Sequence, residues 1–92
     1  KEKEIKNLII YKKAMYNADI ISENDLLDIL NPILKSDSVW KSHALLLMAD
    51  YFENSNNLIK SKNFLEEIVN SELVNNEIRI EAERRLMRKF GD

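Results

Sequence analysis

The fold of this chain is decided by residues 45–68, which read LLLMADYFENSNNLIKSKNFLEEI. Apolar residues recur there at three- and four-residue steps on both sides of the polar run ENSNN, and this period is typical of amphipathic α-helices. The stretch therefore predicts two helices joined by a tight polar turn and packed against each other. The rest of the chain reads as further helices of the same kind.

The composition of the 92 residues favours a single all-α domain. Apolar residues make up 45% and charged residues 33%, which suits a folded helical chain rather than a disordered one. One glycine and one proline are too few for a turn-rich all-β fold. Cysteine is absent, which excludes a disulfide framework, thiolate zinc ligands and a cysteine nucleophile.

The charge balance gives no reason to expect a nucleic acid or a strongly anionic membrane as partner. Fourteen basic residues stand against sixteen acidic ones, for a formal net charge of −2. No apolar run approaches the roughly 18 residues that span a bilayer, so we expect no direct membrane insertion. Because the sequence begins at Lys1, inside a charged helical pattern, we expect a fragment of a longer protein with any targeting segment before it.

Five helices are predicted, and the sequence has no strand pattern. Their expected bounds are, in chain order, about 2–18, 23–34, 39–54, 58–70 and 77–90. Short loops connect them, which makes sequential neighbours antiparallel. Pro32 lacks an amide hydrogen and is expected to kink the second helix or to break it near Asn31. Apolar residues cover more than one face of the third helix, so we expect it to be buried between neighbours.

Capping residues mark several of the predicted helix ends. Ser22 precedes the second helix and has Asp25 three residues later, an acidic variant of the capping box. Asp37 or Ser38 is expected to cap the third helix. In the turn at residues 54–57, one asparagine suits a left-handed conformation and another suits the next N-cap.

The first and fifth helices carry apolar residues beyond a single stripe. The stripe of the first helix that we expect to face the core consists of Ile5, Leu8, Ile9, Met15 and Tyr16. Ile10 and Tyr11 widen it, which suggests a second covered face. The stripe of the fifth helix steps by four residues through Ile78, Ala82, Leu86 and Phe90. Ile80 and Met87 lie off that stripe and are the candidates for a self-association face.

An internal repeat of about 35 residues relates the first helix pair, about 5–35, to the second pair, about 39–71. The second copy is carried by Leu45, Met48, Ala49, Phe52, Asn56, Leu58, Ser61, Leu65 and Ile68. This spacing resembles the tetratricopeptide repeat. Ala49 and Ser61 match the small residues of the family's two helices, and Phe52 matches its aromatic residue. Small side chains at these positions let two helices approach closely.

Three positions depart from the family's pattern, which prefers Trp at Leu45, Gly at Asn56 and Pro at Leu73. The resemblance implies a right-handed stack of two antiparallel helix pairs, closed by a capping helix at about 76–90. The outer face of that cap is expected to carry Glu81, Arg84, Arg85 and Arg88. The chain also resembles the C-terminal part of bacterial membrane-anchored tetratricopeptide proteins of the ancillary translocon-subunit kind, which would make it extracytoplasmic.

The sequence contains no catalytic or metal-binding constellation that stands out, and no cofactor is expected. His43 is the only histidine, and no Cys, His or carboxylate stands at a helical spacing to hold a metal with it. Glu66 and Glu67 are adjacent and therefore point to different faces of a helix. Asp50 and Glu53 can share a helix surface, but no second acid or base is evident beside them.

The function that remains is recognition of a protein or peptide. In tetratricopeptide-like arrays the first helix of each pair lines a concave face, and the resemblance places there Tyr11, Met15, His43, Leu46, Asp50 and Glu53. Such a surface suits an extended or helical peptide that carries basic residues. The alternative is that the tyrosine, the methionine and the leucine are ordinary core residues. Trp40 is expected to be a core anchor.

The sequence therefore predicts a non-enzymatic interaction or scaffold module that presents a helix-lined surface to a partner. The alternative is a structural homodimerisation domain of a larger membrane-associated protein. Two repeats are fewer than the roughly three that a stable solenoid usually needs. We therefore expect either further repeats before residue 1 or self-association of this chain.

Overall fold

The computed structural model describes residues 2–72 and 74–91, and the five predicted helices are all present. They are α1 (Glu2–Asn17), α2 (Glu23–Leu34), α3 (Lys41–Asn54), α4 (Leu58–Asn70) and α5 (Asn76–Phe90). No strand occurs within these two ranges. The all-α prediction is confirmed, and the helix ends differ from the expected ones by at most two residues. Leu73, where the family pattern prefers proline, lies outside the described residues.

The third helix lies at the centre of the packing, beside each of the other four helices and closest to α4. Ala44, Met48 and Phe52 on one side of α3 belong to a core cluster shared with α1 and α2. Leu45 and Ala49 on another side belong to a second cluster shared with α4 and α5. The prediction that α3 is buried between neighbours is therefore confirmed.

Small side chains lie where α3 and α4 approach each other. Ala49 and Ser61 are both buried, and the Ser61 hydroxyl donates a hydrogen bond of 3.0 Å to the Ala49 carbonyl oxygen. The bond satisfies the one polar group of a buried side chain. Phe52 and Phe64 stack beside it, with ring centroids 5.7 Å apart. The two small residues thus permit the close approach that the sequence predicts.

Polar side chains cap the helices at several of the predicted positions. The Asp25 amide donates a hydrogen bond of 3.2 Å to Ser22 Oγ at the start of α2. In the turn between α3 and α4, Asn56 has a φ of 61°, in the left-handed region that asparagine tolerates. The Lys60 amide donates a bond of 3.2 Å to Asn57 Oδ1. These capping predictions are confirmed.

The cap predicted for α3 is wrong. α3 begins after Trp40, and neither Asp37 nor Ser38 caps it with a side chain. Ser38 Oγ instead accepts a bond of 3.1 Å from the Trp40 amide, which closes a turn before the helix. Glu4 of α1 holds this turn, because its carboxylate accepts bonds from the Ser38 hydroxyl at 2.6 Å and from the Val39 amide at 3.1 Å. The turn is thereby tied to α1.

Pro32 does not break α2, which continues to Leu34. Pro32 and Asp28, whose carbonyl would have accepted the missing hydrogen bond, are both exposed. Water can therefore satisfy that carbonyl, and the helix keeps its last turn. The predicted break near Asn31 is wrong for this reason.

The first helix has apolar residues on two opposite faces, and the face that packs is not the one predicted. Its inward side is formed by Asn7, Ile10, Tyr11 and Ala14. Ile5, Ile9 and Tyr16 of the predicted stripe are 60%, 61% and 79% exposed. Ala14 explains the choice, because a small side chain at the centre of the contact lets the neighbouring helices approach. We call the exposed set Ile5, Ile9 and Tyr16 the α1 ridge.

The fifth helix packs with the stripe that the sequence predicts. Ile78 and Ala82 are buried, and Leu86 and Phe90 pack against the second core cluster. Ile80 and Met87 lie off this stripe and are 47% and 78% exposed. We call these two residues the α5 ridge.

Replacing Ser61 by leucine is expected to destabilise the protein by about 1–3 kcal/mol, because the larger side chain has no room beside Ala49. Asn63→Leu is the matched control, since Asn63 is exposed on the same helix. Urea unfolding followed by circular dichroism gives both free energies of unfolding. Equal stability of the two variants would show that the helices do not approach closely here.

The stability of the protein is expected to fall at low pH, in part because Glu4 becomes protonated. Hydrogen bonds from Ser38 and from the Val39 amide lower the pKa of Glu4 below its ordinary value of 4.5. The stabilisation is therefore complete above pH 4.5 and is lost as the pH falls through the folded-state pKa. Melting temperatures of the wild type should drop more steeply below that pH than those of Glu4→Gln. Glu67→Gln, an exposed site on α4, should follow the wild type.

Candidate functional site

An open groove of about 400 Å³ lies where the end of α1 and the following turn face α3. Its lining is mixed: Met15, Ile21 and Leu47 contribute apolar side chains, and the polar part includes the carboxylates Asp19 and Asp50 together with Asn54 and Ser55. Leu47 and Asp50 come from α3, whereas Ile21 comes from the turn between α1 and α2. The groove therefore combines an apolar surface with negative charge.

Tyr51 holds the wall of this groove in place. Its hydroxyl donates a hydrogen bond of 3.0 Å to the Ile21 carbonyl oxygen, which ties the turn after α1 to α3. Its ring meets the Phe52 ring edge to face, with centroids 5.6 Å apart. Because Phe52 belongs to the first core cluster, the wall is anchored in the core. The groove is thus largely formed before any ligand binds.

The carboxylate of Asp50 forms an ion pair with Arg85 of α5. The same guanidinium donates a bond of 2.7 Å to Glu81, and Arg84 donates one of 2.6 Å to the other Glu81 oxygen. Burial disfavours the Arg85 charge, but the hydrogen bonds to Asp50 and Glu81 outweigh it and raise the Arg85 pKa. The hydrogen bond from Arg85 lowers the Glu81 pKa. These four side chains form one network across α3 and α5.

The network corrects the predicted outer face of α5. Arg85 and Glu81 were expected to face solvent on a capping helix, but the Arg85 side chain is only 17% exposed and is directed at α3. The Asp50 side chain is 41% exposed, so its carboxylate still reaches the groove. Nearby, the Lys89 ammonium lies 3.3 Å from the Glu53 carboxylate. The basic residues of α5 therefore neutralise part of the acidic surface of α3.

A cluster of three rings lies at the other end of the contact between α1 and α3. Tyr11 and Trp40 stack with centroids 6.1 Å apart, and His43 lies 5.7 Å and 4.8 Å from them. Burial lowers the pKa of His43, which keeps the ring neutral at neutral pH. Burial, and then the charge of Asp50, raises the pKa of Tyr11. Both Tyr11 and Trp40 pack against the first core cluster, as expected of a core anchor.

The six residues predicted for the concave face are divided among three places. Met15 and Asp50 line the groove. Tyr11 and His43 belong to the ring cluster. Leu46 packs against the second core cluster and Glu53 pairs with α5. The alternative prediction, that the tyrosine, the methionine and the leucine are ordinary core residues, therefore describes Tyr11 and Leu46. It does not describe Met15, which is exposed.

The prediction missed the other residues that line the groove, which are Ala18, Asp19, Ile21, Leu47, Tyr51, Asn54 and Ser55. Leu47 stands three residues before Asp50 and four residues before Tyr51, so helical spacing places Leu47 beside both. That signal was available in the sequence. Ile21 had no such signal, because its position depends on the Tyr51 hydrogen bond.

Within residues 2–72 and 74–91, no three His, Asp or Glu side chains are grouped closely enough to hold a metal ion. No helix in the same ranges is long and apolar enough to cross a membrane.

The ion pair between Asp50 and Arg85 is expected to couple α3 to α5 by about 0.5–1 kcal/mol, a modest value because one partner is largely solvated. A double-mutant cycle with Asp50→Ala and Arg85→Ala, measured by urea unfolding, isolates this coupling. The coupling should shrink as salt is added. Strict additivity of the two substitutions would argue against the pair.

Comparisons with family models, with curated proteins and with solved structures gave no match for this chain.

Proposed function

We propose that this chain is a non-enzymatic interaction module that binds a segment of a partner protein in the groove between α1 and α3. The groove itself carries the proposal, because it combines apolar side chains with two carboxylates around a volume of about 400 Å³. Binding sites are typically concave and apolar, with a few polar groups that orient the ligand.

The charges of the groove indicate the chemistry of the partner segment. Asp19 and Asp50 line the groove together with the apolar side chains of Met15 and Leu47. Arg85 contacts one oxygen of Asp50 and leaves the side chain 41% exposed, so the carboxylate can accept a second cation. A Lys or Arg next to an apolar side chain is therefore the expected recognition element.

The rigidity of the groove supports binding of a short segment. The bond from Tyr51 to Ile21 and the packing of Phe52 fix the wall in the free protein. Little conformational entropy is then lost on the protein side when a ligand binds. A preformed groove favours a peptide or an exposed loop over a partner that must reorganise the helices.

The packing supports a tetratricopeptide-like right-handed stack as the architecture behind this groove. α3 lies beside both α1 and α5, as expected if the first helices of successive pairs form one layer. The small residues Ala49 and Ser61 occupy the family's close-approach positions and are joined by a hydrogen bond. In such a stack the groove between α1 and α3 opens on the concave face.

We expect a random peptide library panned against this protein to yield peptides with a basic residue beside an apolar one. Their affinity, measured by fluorescence anisotropy, should fall at least tenfold in Met15→Lys. This corresponds to about 1.4 kcal/mol, from the lost apolar contact and the added repulsion of the basic ligand. Asp50→Asn should weaken binding less.

The matched control is Met87→Lys, the same substitution on the α5 ridge, away from the groove. It should leave peptide affinity unchanged. Selected peptides that bind Met15→Lys as tightly as the wild type do not use the groove. That result, or a library that yields no binder, would rule out the proposed function.

A further inference from the structure

The two ridges lie at opposite ends of the helix stack. α1 packs against α2 and α3, and α5 packs against α3 and α4. The α1 ridge is on the side of its helix away from buried Ala14, and the α5 ridge is off the stripe that contains buried Ala82. The apolar surface that each helix leaves uncovered therefore faces outward at its own end of the chain.

The ridges match each other in spacing. Ile9 and Tyr16 on α1 are seven residues apart, and so are Ile80 and Met87 on α5. Seven residues are about two helical turns, so each pair lies along one side of its helix, roughly 10 Å apart. Two such pairs can interdigitate when the helices pack side by side.

The charges between the apolar residues are opposite. Lys12 stands three residues after Ile9, and Glu83 stands three residues after Ile80. Both charged residues are exposed. Arg84, next to Glu83, lies 2.6 Å from Glu81, which it shares with Arg85. The middle of the α1 ridge is therefore basic, and the corresponding part of the α5 ridge carries one acid, Glu83, beside one base, Arg84.

The same charges disfavour pairing of α1 with α1. Lys12 and Lys13 both lie at the centre of the α1 ridge, so a twofold contact there would bring four lysines of two copies together. Like charges placed opposite each other in a contact are destabilising. Contact between α1 and α5 of different copies places Lys12 opposite Glu83 and brings fewer like charges together.

We propose that this chain self-associates head to tail, with the α1 ridge of one copy seated on the α5 ridge of the next. Ile9 and Tyr16 pack against Ile80 and Met87, and Lys12 pairs with Glu83. The contact is heterologous, so each assembly keeps one free α1 ridge at one end and one free α5 ridge at the other, and short open chains form. Its area is a single helix pair, which makes it weak and concentration-dependent.

Sedimentation equilibrium from about 10 μM to about 1 mM tests self-association in the range of a weak contact. The average mass should rise steadily above the monomer mass of 10.8 kDa. Ile9→Glu and Met87→Glu should each abolish the rise. Ile59→Glu, at a site that is 76% exposed on α4, is the matched control and should associate like the wild type.

Mixing Ile9→Glu with Met87→Glu separates the two kinds of contact. Each variant retains one intact ridge, and the two are complementary, so the mixture should form a 1:1 dimer and stop there. A wild type that stays monomeric throughout overturns the proposal. So does a Met87→Glu variant that still self-associates, since this would indicate contact of α1 with α1, and so does a mixture that stays monomeric.

A charge reversal tests the proposed ion pair between Lys12 and Glu83. Lys12→Glu alone and Glu83→Lys alone should weaken association at least threefold, and the double variant should recover it. Circular dichroism should show unchanged helix content, because both sites are exposed. Failure of the double variant to recover association would exclude the pairing of Lys12 with Glu83 and with it the proposed register.

Discussion

The close contact of α3 with α4 at Ala49 and Ser61 is the constraint on which the rest of the structure depends. Two small side chains and one buried hydrogen bond bring these helices together, and the space around them is filled by Phe52, Phe64 and Leu65. Two further sides of α3 pack against other helices. One packs against α1 and α2, and another contacts α5.

The central position of α3 also explains where a groove is left between the helices. Its residues Leu47, Asp50 and Tyr51 are turned toward the end of α1, where the turn to α2 leaves a groove instead of a packed interface. Tyr51 then fixes that turn through Ile21. The groove is thus a consequence of core packing, which gives it a defined shape without a ligand.

Charged residues are arranged differently at the contact between α3 and α5 and on the outward faces of α1 and α5. Basic residues of α5 neutralise much of the acidic side of α3, and Asp50 alone connects this network to the groove. The outward faces of α1 and α5 keep exposed apolar residues with charged residues between them. The groove and these outward faces are therefore separate surfaces of the protein.

The sequence by itself determined the five helices and most of their ends, because these follow from local periodicity and capping. It also indicated the contact of Ala49 with Ser61, through the repeat pattern and the small size of the two side chains. It also identified Met15 and Asp50 of the groove. Only the tertiary structure decided which face of α1 is buried, since Ile5, Ile9 and Tyr16 form as good a stripe as Ile10, Tyr11 and Ala14. The pairing of Arg85 with Asp50 and the place of Ile21 were likewise decided by contacts between residues far apart in the chain. Hydrophobic periodicity shows that one face of a helix is apolar. Whether that face is buried depends on which neighbouring helix packs against it.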